Sequence, residues 1–317
     1  MMVKVFVDGQ EGTTGLQIKE RLDRHPNVHL LEIDPDERKS IAARQALLNE
    51  ADVAFLCLPD AAAKESAALV TNPNTRLIDA STAHRTDPDW VYGLPEISPE
   101  QRQRIAQSTR VSNPGCHATG FNLLVAPLVA RGLLHPSSPL SCQSLTGYSG
   151  GGKALIATYE DADEATRARL LGPSHYGLSL NHKHLPEMQN VCGLALPPVF
   201  TPVVGPFYKG MVVTVPLHAA QLMMEHRDAA SVRDALAEHY ADSHFVEVMP
   251  YDAAGGVDGG FLNPQAANDT NRNEIFVFGS DARILLVSRL DNLGKGASGA
   301  AVQNMNIMLG LPEDTSL

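Results

Sequence analysis

Short apolar runs alternate with helix-compatible stretches through the first third of the chain. Val3–Asp8 predicts a strand, residues 12–22 a helix carrying Leu16, Ile18 and Leu22, and residues 28–33 a second strand. Residues 40–48, rich in Ala and Leu, predict another helix. Residues 53–58 form an unbroken apolar run that stops at Pro59, the pattern of a strand buried on both faces. Residues 61–70 return to a helical pattern, and residues 77–80 and Arg110–Ser112 predict further strands. Strands that alternate with helices join through right-handed crossovers. The expectation is therefore an α/β fold with a doubly wound, Rossmann-type parallel sheet.

After about residue 140 the pattern changes. Residues 199–202, 211–217 and 245–248 read as strands, and 275–278 with 284–290 read as a hairpin around Gly279-Ser280-Asp281. This suits a second, α+β catalytic and dimerisation domain with a mixed or antiparallel sheet. The last amphipathic segment, 297–309, carries Val302, Met305, Met308 and Leu309 and precedes Gly310, a C-cap candidate. The expected division is residues 1–115 for a dinucleotide-binding domain, 116–291 for the second domain, and 292–317 as a helix packing back on the first.

Composition narrows the function. A chain of 317 residues suits about two domains. Hydrophobic residues at 44% and charged residues at 19% support a sizeable core and argue against disorder. The net charge of −11, with no Lys/Arg run, argues against nucleic-acid and anionic-membrane partners. An anionic small substrate stays open, because one or two local cations bind it. No apolar run approaches the ~18 residues of a membrane span, and the first residues lack a secretory pattern. The four cysteines make no disulfide framework, so a reducing cytoplasm is expected.

Two stretches carry chemistry. The first strand runs into Asp8-Gly9-Gln10-Glu11-Gly12-Thr13-Thr14-Gly15. Glycines spaced G-x-x-G-x-x-G before a helix allow a tight turn and close backbone approach to a pyrophosphate at the helix N-terminus. Thr13 and Thr14 add hydroxyl donors. Read without a ligand, the same segment is only a glycine turn. Asp34, at the end of the second strand, fits the ribose 2′-hydroxyl of NAD, whereas Arg38-Lys39-Ser40 fit a 2′-phosphate. The residues alone do not choose between the two cofactors.

The second stretch is Ser112-Asn113-Pro114-Gly115-Cys116-His117-Ala118-Thr119-Gly120. Pro-Gly breaks the chain, and a long apolar helix follows. Cys116 thus falls at a helix start, where the dipole and free amides lower a thiol's pKa. A thiolate is the nucleophile of acyl transfer, and the same amides can hold a tetrahedral oxyanion. Cys57, Cys142 and Cys192 lie in apolar surroundings and read as structural.

This stretch resembles the signature of the N-acetyl-gamma-glutamyl-phosphate reductases, the arginine-pathway members of the semialdehyde dehydrogenase family. Other islands are similar to the family's motifs: the glycine loop, Asp79-Ala80-Ser81-Thr82-Ala83-His84-Arg85, Tyr92-Gly93-Leu94-Pro95-Glu96, Gly147-Tyr148-Ser149-Gly150-Gly151-Gly152-Lys153, His182-Lys183-His184-Leu185-Pro186-Glu187-Met188, and Asp291-Asn292-Leu293-Gly294-Lys295-Gly296-Ala297. They span nearly the whole chain, which resembles the compact type of the family. His117 stands where an aromatic is usual, and Lys183 replaces Arg.

The resemblance implies NADP-dependent reductive dephosphorylation of N-acetyl-gamma-glutamyl phosphate to N-acetylglutamate 5-semialdehyde through a Cys116 thioester. NADP is expected over NAD, held by Gly9, Gly12, Thr13, Thr14, Gly15, Ser81, Gly150, Gly151 and Asn292, the last on the nicotinamide carboxamide. One histidine of the His182–Lys183–His184 segment is the expected acid/base, with His184 favoured over His182. On an extended segment the two rings point in opposite directions, so only one would face Cys116. Glu187 either orients that ring or serves its helix dipole. Arg85, Asn113, Lys153 and Lys183 are candidates for the anionic substrate. No Cys/His cluster has zinc-like spacing, so no metal is expected. A homo-oligomer, dimer or tetramer, is expected from the wider family.

Two other readings remain at this point. One is a sister semialdehyde dehydrogenase acting on an aspartate or aminoadipate derivative. The other is a dinucleotide-binding redox sensor without turnover. A substrate panel separates the first, and stoichiometric alkylation of Cys116 that abolishes turnover rules out the second.

Overall fold

The computed structural model describes residues 2–223, 225, 227–251 and 257–317. In chain order the elements are β1 Val3–Asp8, α1 Thr13–Asp23, β2 Val28–Leu31, α2 Ile41–Glu50, β3 Val53–Leu56, α3 Asp60–Ala68, β4 Arg76–Asp79, β5 Val91–Tyr92, α4 Pro99–Gln107 and β6 Arg110–Ser112. There follow α5 Cys116–Ala130, β7 Ser141–Gly147, α6 Gly152–Glu160, α7 Glu164–Leu170, β8 Ser174–His175, α8 Leu185–Val191, β9 Val199–Gly205 and β10 Met211–His218. The last are α9 Ala229–His239, β11 Val246–Val248, β12 Asn273–Gly279, β13 Arg283–Leu290 and α10 Gly299–Leu309. The chain divides into two compact units, Met1–Gly115 with Ala297–Leu317, and Cys116–Gly296.

The first unit is a six-stranded parallel sheet in the order β2-β1-β3-β4-β6-β5. Alternation along the strands splits its core into two layers. Val5, Val7, Val53 and Phe55 pack on one face with Ile18 and Leu22 of α1, while Phe6, Ala54 and Leu56 pack on the other with Leu48 and Trp90. Helix α10 completes the first layer with Ala301, Val302, Met305, Ile307 and Met308. Its polar residues are buried too. Asn304 donates to the Gly93 carbonyl at 2.9 Å, and Asn306 accepts from His25 Nε2 at 3.0 Å. Gly310 ends the helix in the left-handed conformation, φ 68°. The strand expected over 28–33 stops at Leu31, because Asp34 starts a 3-10 turn on Pro35 and accepts the Asp36 amide through its own carboxylate at 2.9 Å.

The second unit is a seven-stranded mixed sheet in the order β11-β12-β13-β10-β7-β9-β8. β10 runs antiparallel to both β13 and β7, while β7 pairs parallel with β9. Helix α5 crosses this sheet and is buried from His117 to Leu128, which explains why its sequence is apolar on every side. Gly120 sets the approach: a Cβ there would stand 2.6 Å from the Val213 side chain. β7 was not expected, because its inward face is partly polar: Cys142, Ser144 and Thr146.

Candidate active site

In the first unit, the loop after β1 borders a cavity of about 350 Å³ lined by residues that include Asp8, Gly9, Glu11, Ile33, Arg38, Lys39 and Arg44. Gly9 has φ +85°, and a Cβ on it would collide with the Cys57 carbonyl; a Cβ on Gly15 would stand 2.5 Å from the Gly9 carbonyl. These two glycines let the turn fold against β3 and enter α1. Gly12 is the N-cap of α1 and has no side-chain cap. The first-turn amides of Thr13, Thr14 and Gly15 therefore face outward without intrahelical partners, as an anion needs. The carboxylate of Asp8 is satisfied inside the protein by Arg44 (Nη2 at 2.7 Å) and by the Ser66 hydroxyl. Arg38 pairs with Glu11, and its Nε is buried with no hydrogen-bond partner. Asp34 is absent from the cavity wall, so the ribose role open to it in the sequence finds no support here. A dinucleotide fits this cradle.

Several residues of the same unit that were expected at a ligand make hydrogen bonds within the protein. Ser81 donates its hydroxyl to Asp79 at 2.7 Å, and that carboxylate also takes the Nδ1–H of His84 at 2.6 Å. The His84 ring stacks on Trp90 with centroids 4.1 Å apart. Asn113, expected at the substrate, is buried; its Nδ2 donates to the Ala297 carbonyl at 2.9 Å, and its Oδ1 accepts from Asn304 Nδ2 at 3.3 Å. Arg85 donates from Nε to the Asn113 carbonyl at 2.9 Å and from Nη2 to the Ala80 carbonyl at 3.3 Å. It thus ties the ends of β4 and β6 together.

In the second unit Cys116 is the first residue of α5 and is half-buried. A helix start favours negative charge on its sulfur. Gly296 packs on it; a Cβ there would stand 2.8 Å from the Cys116 Cβ. The other thiols are different. Burial pushes Cys57, Cys142 and Cys192 well up, which keeps them protonated and unreactive.

His117, the residue after Cys116, centres a cluster of rings. His117 is buried, with Nδ1 2.8 Å from Ser144 Oγ and Nε2 2.8 Å from the Tyr176 hydroxyl. Its ring centroid is 5.4 Å from those of both His182 and His184, and Phe200 lies at 5.2 Å. Burial, aided by the charges of His182 and Lys183, pushes the imidazole of His117 down to about 3. Burial first, then the Cys116 charge, pushes the Tyr176 phenol up, so it stays protonated.

The segment before α8 is a turn and not the extended run expected. The His182 and His184 rings lie on the same side, 4.7 Å apart, and the His184 amide donates to His182 Nδ1 at 3.2 Å. A turn reverses the i, i+2 alternation of a strand, so both imidazoles join the cluster. His184 is buried with its Nε2 3.9 Å from Glu187 Oε1, and Glu187 is itself buried in the first turn of α8. Lys183 and Lys153 are exposed. Gly150 and Gly151 are exposed in a turn with half-buried Tyr148 and buried Ser149. Asn292 braces that turn: its Nδ2 donates to Ser149 Oγ at 3.0 Å, and its Oδ1 accepts the Gly210 amide at 2.8 Å. Tyr176 and Ser144 escaped the sequence reading, since neither lies in a motif and only the β7 and β8 pairings deliver them.

The family model described as the semialdehyde dehydrogenase dimerisation domain matches residues 116–292, and the one described as its NAD binding domain matches 32–105. N-acetyl-gamma-glutamyl-phosphate reductase 2 of Nostoc sp. is 48% identical over 99% of both chains. The N-acetyl-gamma-glutamyl-phosphate reductase of Burkholderia cenocepacia is 47% identical over 96% of this chain and 97% of its own. Among solved structures, aspartate semialdehyde dehydrogenase II of Vibrio cholerae superposes with a TM-score of 0.73 at 16% identity, over 98% of this chain and 99% of that one. The Candida albicans aspartate semialdehyde dehydrogenase, solved with NADP, gives a TM-score of 0.66 at 15% identity over 98% of this chain and 99% of that one. With a thiol at a helix start beside clustered imidazoles, a dinucleotide cradle, and relatives of this identity along its whole length, the chain belongs to the semialdehyde dehydrogenase family, within its N-acetyl-gamma-glutamyl-phosphate reductase branch.

Proposed function

We propose that this protein reduces N-acetyl-gamma-glutamyl phosphate to N-acetylglutamate 5-semialdehyde, with release of phosphate and use of NADPH. The observation that carries the reading is Cys116 at the first position of α5, followed at once by His117 at the centre of a cluster with Tyr176, His182 and His184. The Cys116 sulfur attacks the acyl carbon, the C–O bond to phosphate breaks with its electron pair, and a thioester remains. Its reduction to a thiohemiacetal takes the hydride that the reduced nicotinamide supplies when bound. The amides of the first turn of α5 hold the oxyanion at each tetrahedral stage. We assign His182 as the acid that protonates that oxygen and then takes the proton back as the C–S bond breaks and the aldehyde leaves. His182 is half-buried, and acceptance of the His184 amide by Nδ1 leaves its proton on Nε2. His184 is turned to Glu187 and buried, which fits a supporting role. Lys183 and Lys153 are the exposed cations for the anionic substrate.

The preference for NADP rests on Arg38 and Lys39 in the cavity wall and on the absence of Asp34 from it. A cytoplasmic homo-oligomer is the form we propose. Helices α6 and α7 bury no residue, and Leu171, Leu178 and Leu180 nearby stand exposed, which suits a subunit contact. Among the described residues no helix is long and apolar enough to cross a membrane. The deciding experiment is the reverse reaction with N-acetylglutamate semialdehyde, phosphate and NADP, beside aspartate semialdehyde. NADPH formation with the first, and a kcat/KM at least ~100-fold lower with the second, is expected. Cys116→Ser must cut turnover by ~10³ or more with cofactor affinity kept; near-parental turnover in that variant sinks the mechanism.

A further inference from the structure

Cys116 is followed at once by a histidine that cannot serve as an acid or base. His117 is sealed, and both ring nitrogens are already bonded, Nδ1 to Ser144 Oγ and Nε2 to Tyr176 Oη, each at 2.8 Å. A neutral imidazole has one N–H and one lone pair, so the chain from Ser144 to Tyr176 has just two polarities. In one, the Ser144 hydroxyl donates to Nδ1, the Nε2–H donates to the phenol oxygen, and the phenol's own proton is free to donate elsewhere. In the other, Nδ1–H donates to Ser144 and the phenol proton is spent on His117. Tyr176 is fixed on the other side by its amide, which donates to the Pro202 carbonyl at 3.2 Å. Its ring centroid lies 6.0 Å from that of His182. The phenol is therefore held on the imidazole of the residue that follows the nucleophile, beside the His182 ring.

We propose that Tyr176 is a further residue of this active site: its hydroxyl donates a hydrogen bond to the ionised sulfur of Cys116, and the Ser144–His117 pair are positioning residues that set the polarity of the phenol. A negative sulfur selects the first polarity, since only then does the phenol proton point to it. Charge on sulfur and the orientation of two hydroxyls are thus coupled through an imidazole that never changes its own charge. The proposal deepens the acyl-transfer reading and rests on it for its catalytic meaning. The hydrogen-bond claim itself does not need turnover.

Among the described residues, the titratable groups gathered about His117 and Tyr176 include His182, Lys183 and His184 before α8, with Glu187 behind them. The test keeps all but one in place at a time. The rate of Cys116 alkylation by iodoacetamide is measured against pH in the full chain without substrate, for the parent, Tyr176→Phe, His117→Phe and Ser144→Ala. Cys57, Cys142 and Cys192 serve as slow internal references by peptide mapping. A charge-assisted hydrogen bond lost from the thiolate moves the midpoint up by about one pH unit in Tyr176→Phe, with a smaller rise of the same sign in His117→Phe and Ser144→Ala. Turnover with the acyl substrate falls ~10-fold in Tyr176→Phe through kcat, with KM little changed. Tyr176→Phe removes a single oxygen and keeps the ring, and thermal unfolding checks each variant. Midpoints within 0.2 unit (about the error of such a titration) in a folded Tyr176→Phe overturn the inference. A shifted midpoint with no turnover in any form, the parent included, leaves the hydrogen bond standing and removes the proposed function instead.

Discussion

His117→Phe in the buried helix α5 offers a direct measure of what it costs to seal a histidine beside the nucleophile. The native imidazole is pushed from its ordinary 6.5 down to about 3, mainly by burial. Once unfolded, the same ring protonates at its ordinary value. Between these limits the unfolded state binds one more proton than the folded one, so stability is flat above about 6.5 and falls as the pH drops toward 3. At pH 5 the gap from 6.5 is 1.5 units, worth about 2 kcal/mol, or roughly a 30-fold change in the opening equilibrium. Phenylalanine cannot take up that proton. Its loss of two hydrogen bonds lowers stability at every pH by a similar amount and adds no slope, so the variant lacks only the part of the slope that His117 supplies. Hydrogen exchange of the α5 amides from Thr119 to Leu128, corrected for intrinsic rates, reads local opening without requiring two-state unfolding of the two units. The parent should lose ~30-fold protection between pH 7 and pH 5 beyond what His117→Phe loses. Equal losses in both proteins would falsify the claim that His117 is held neutral in the fold.

Two further outcomes test other parts of the site. Gly296→Ala places a Cβ 2.8 Å from the Cys116 Cβ; the sulfur must shift, and kcat should fall by ~10- to 100-fold while the fold persists, checked by single-turnover kinetics beside circular dichroism. Lys39→Ala and Arg38→Ala should raise the Kd for NADP by ~10-fold or more, a loss of ~1.4 kcal/mol, and leave NAD binding nearly unchanged; equal effects on both cofactors would place the 2′-phosphate elsewhere.

The parallel sheet was readable because its strands are buried on both sides. Val53 to Leu56 can only be apolar when Val53 and Phe55 face one layer and Ala54 and Leu56 the other. The glycine loop was readable for a steric reason, since Gly9 and Gly15 each touch a carbonyl that forbids a Cβ. β7 was hidden because it turns Ser144 inward to serve a buried imidazole, and polarity on that face masks the alternation a strand shows. The rings of His182 and His184 were misplaced because spacing alone cannot separate an extended segment from the turn that leads into α8. Asn113, Ser81 and Arg85 stood in motifs that drew a ligand reading, while their hydrogen bonds hold strand ends and the start of the last helix. Motif membership marks a position that tolerates little change; it does not separate a group that touches ligand from one that supports it.

The layer that α10 completes has a consequence for the order of events during synthesis. Val5, Val7 and Phe55 leave the ribosome long before the side chains that cover them, Ala301, Val302, Met305, Ile307 and Met308. One flank of the nucleotide-binding half must stay open to water until residues 301–308 are made, by which point every residue of the half carrying Cys116 has already been polymerised. A nascent chain stalled before residue 297 therefore exposes an uncovered apolar sheet face, and chaperone capture of such stalled chains is the behaviour this architecture demands.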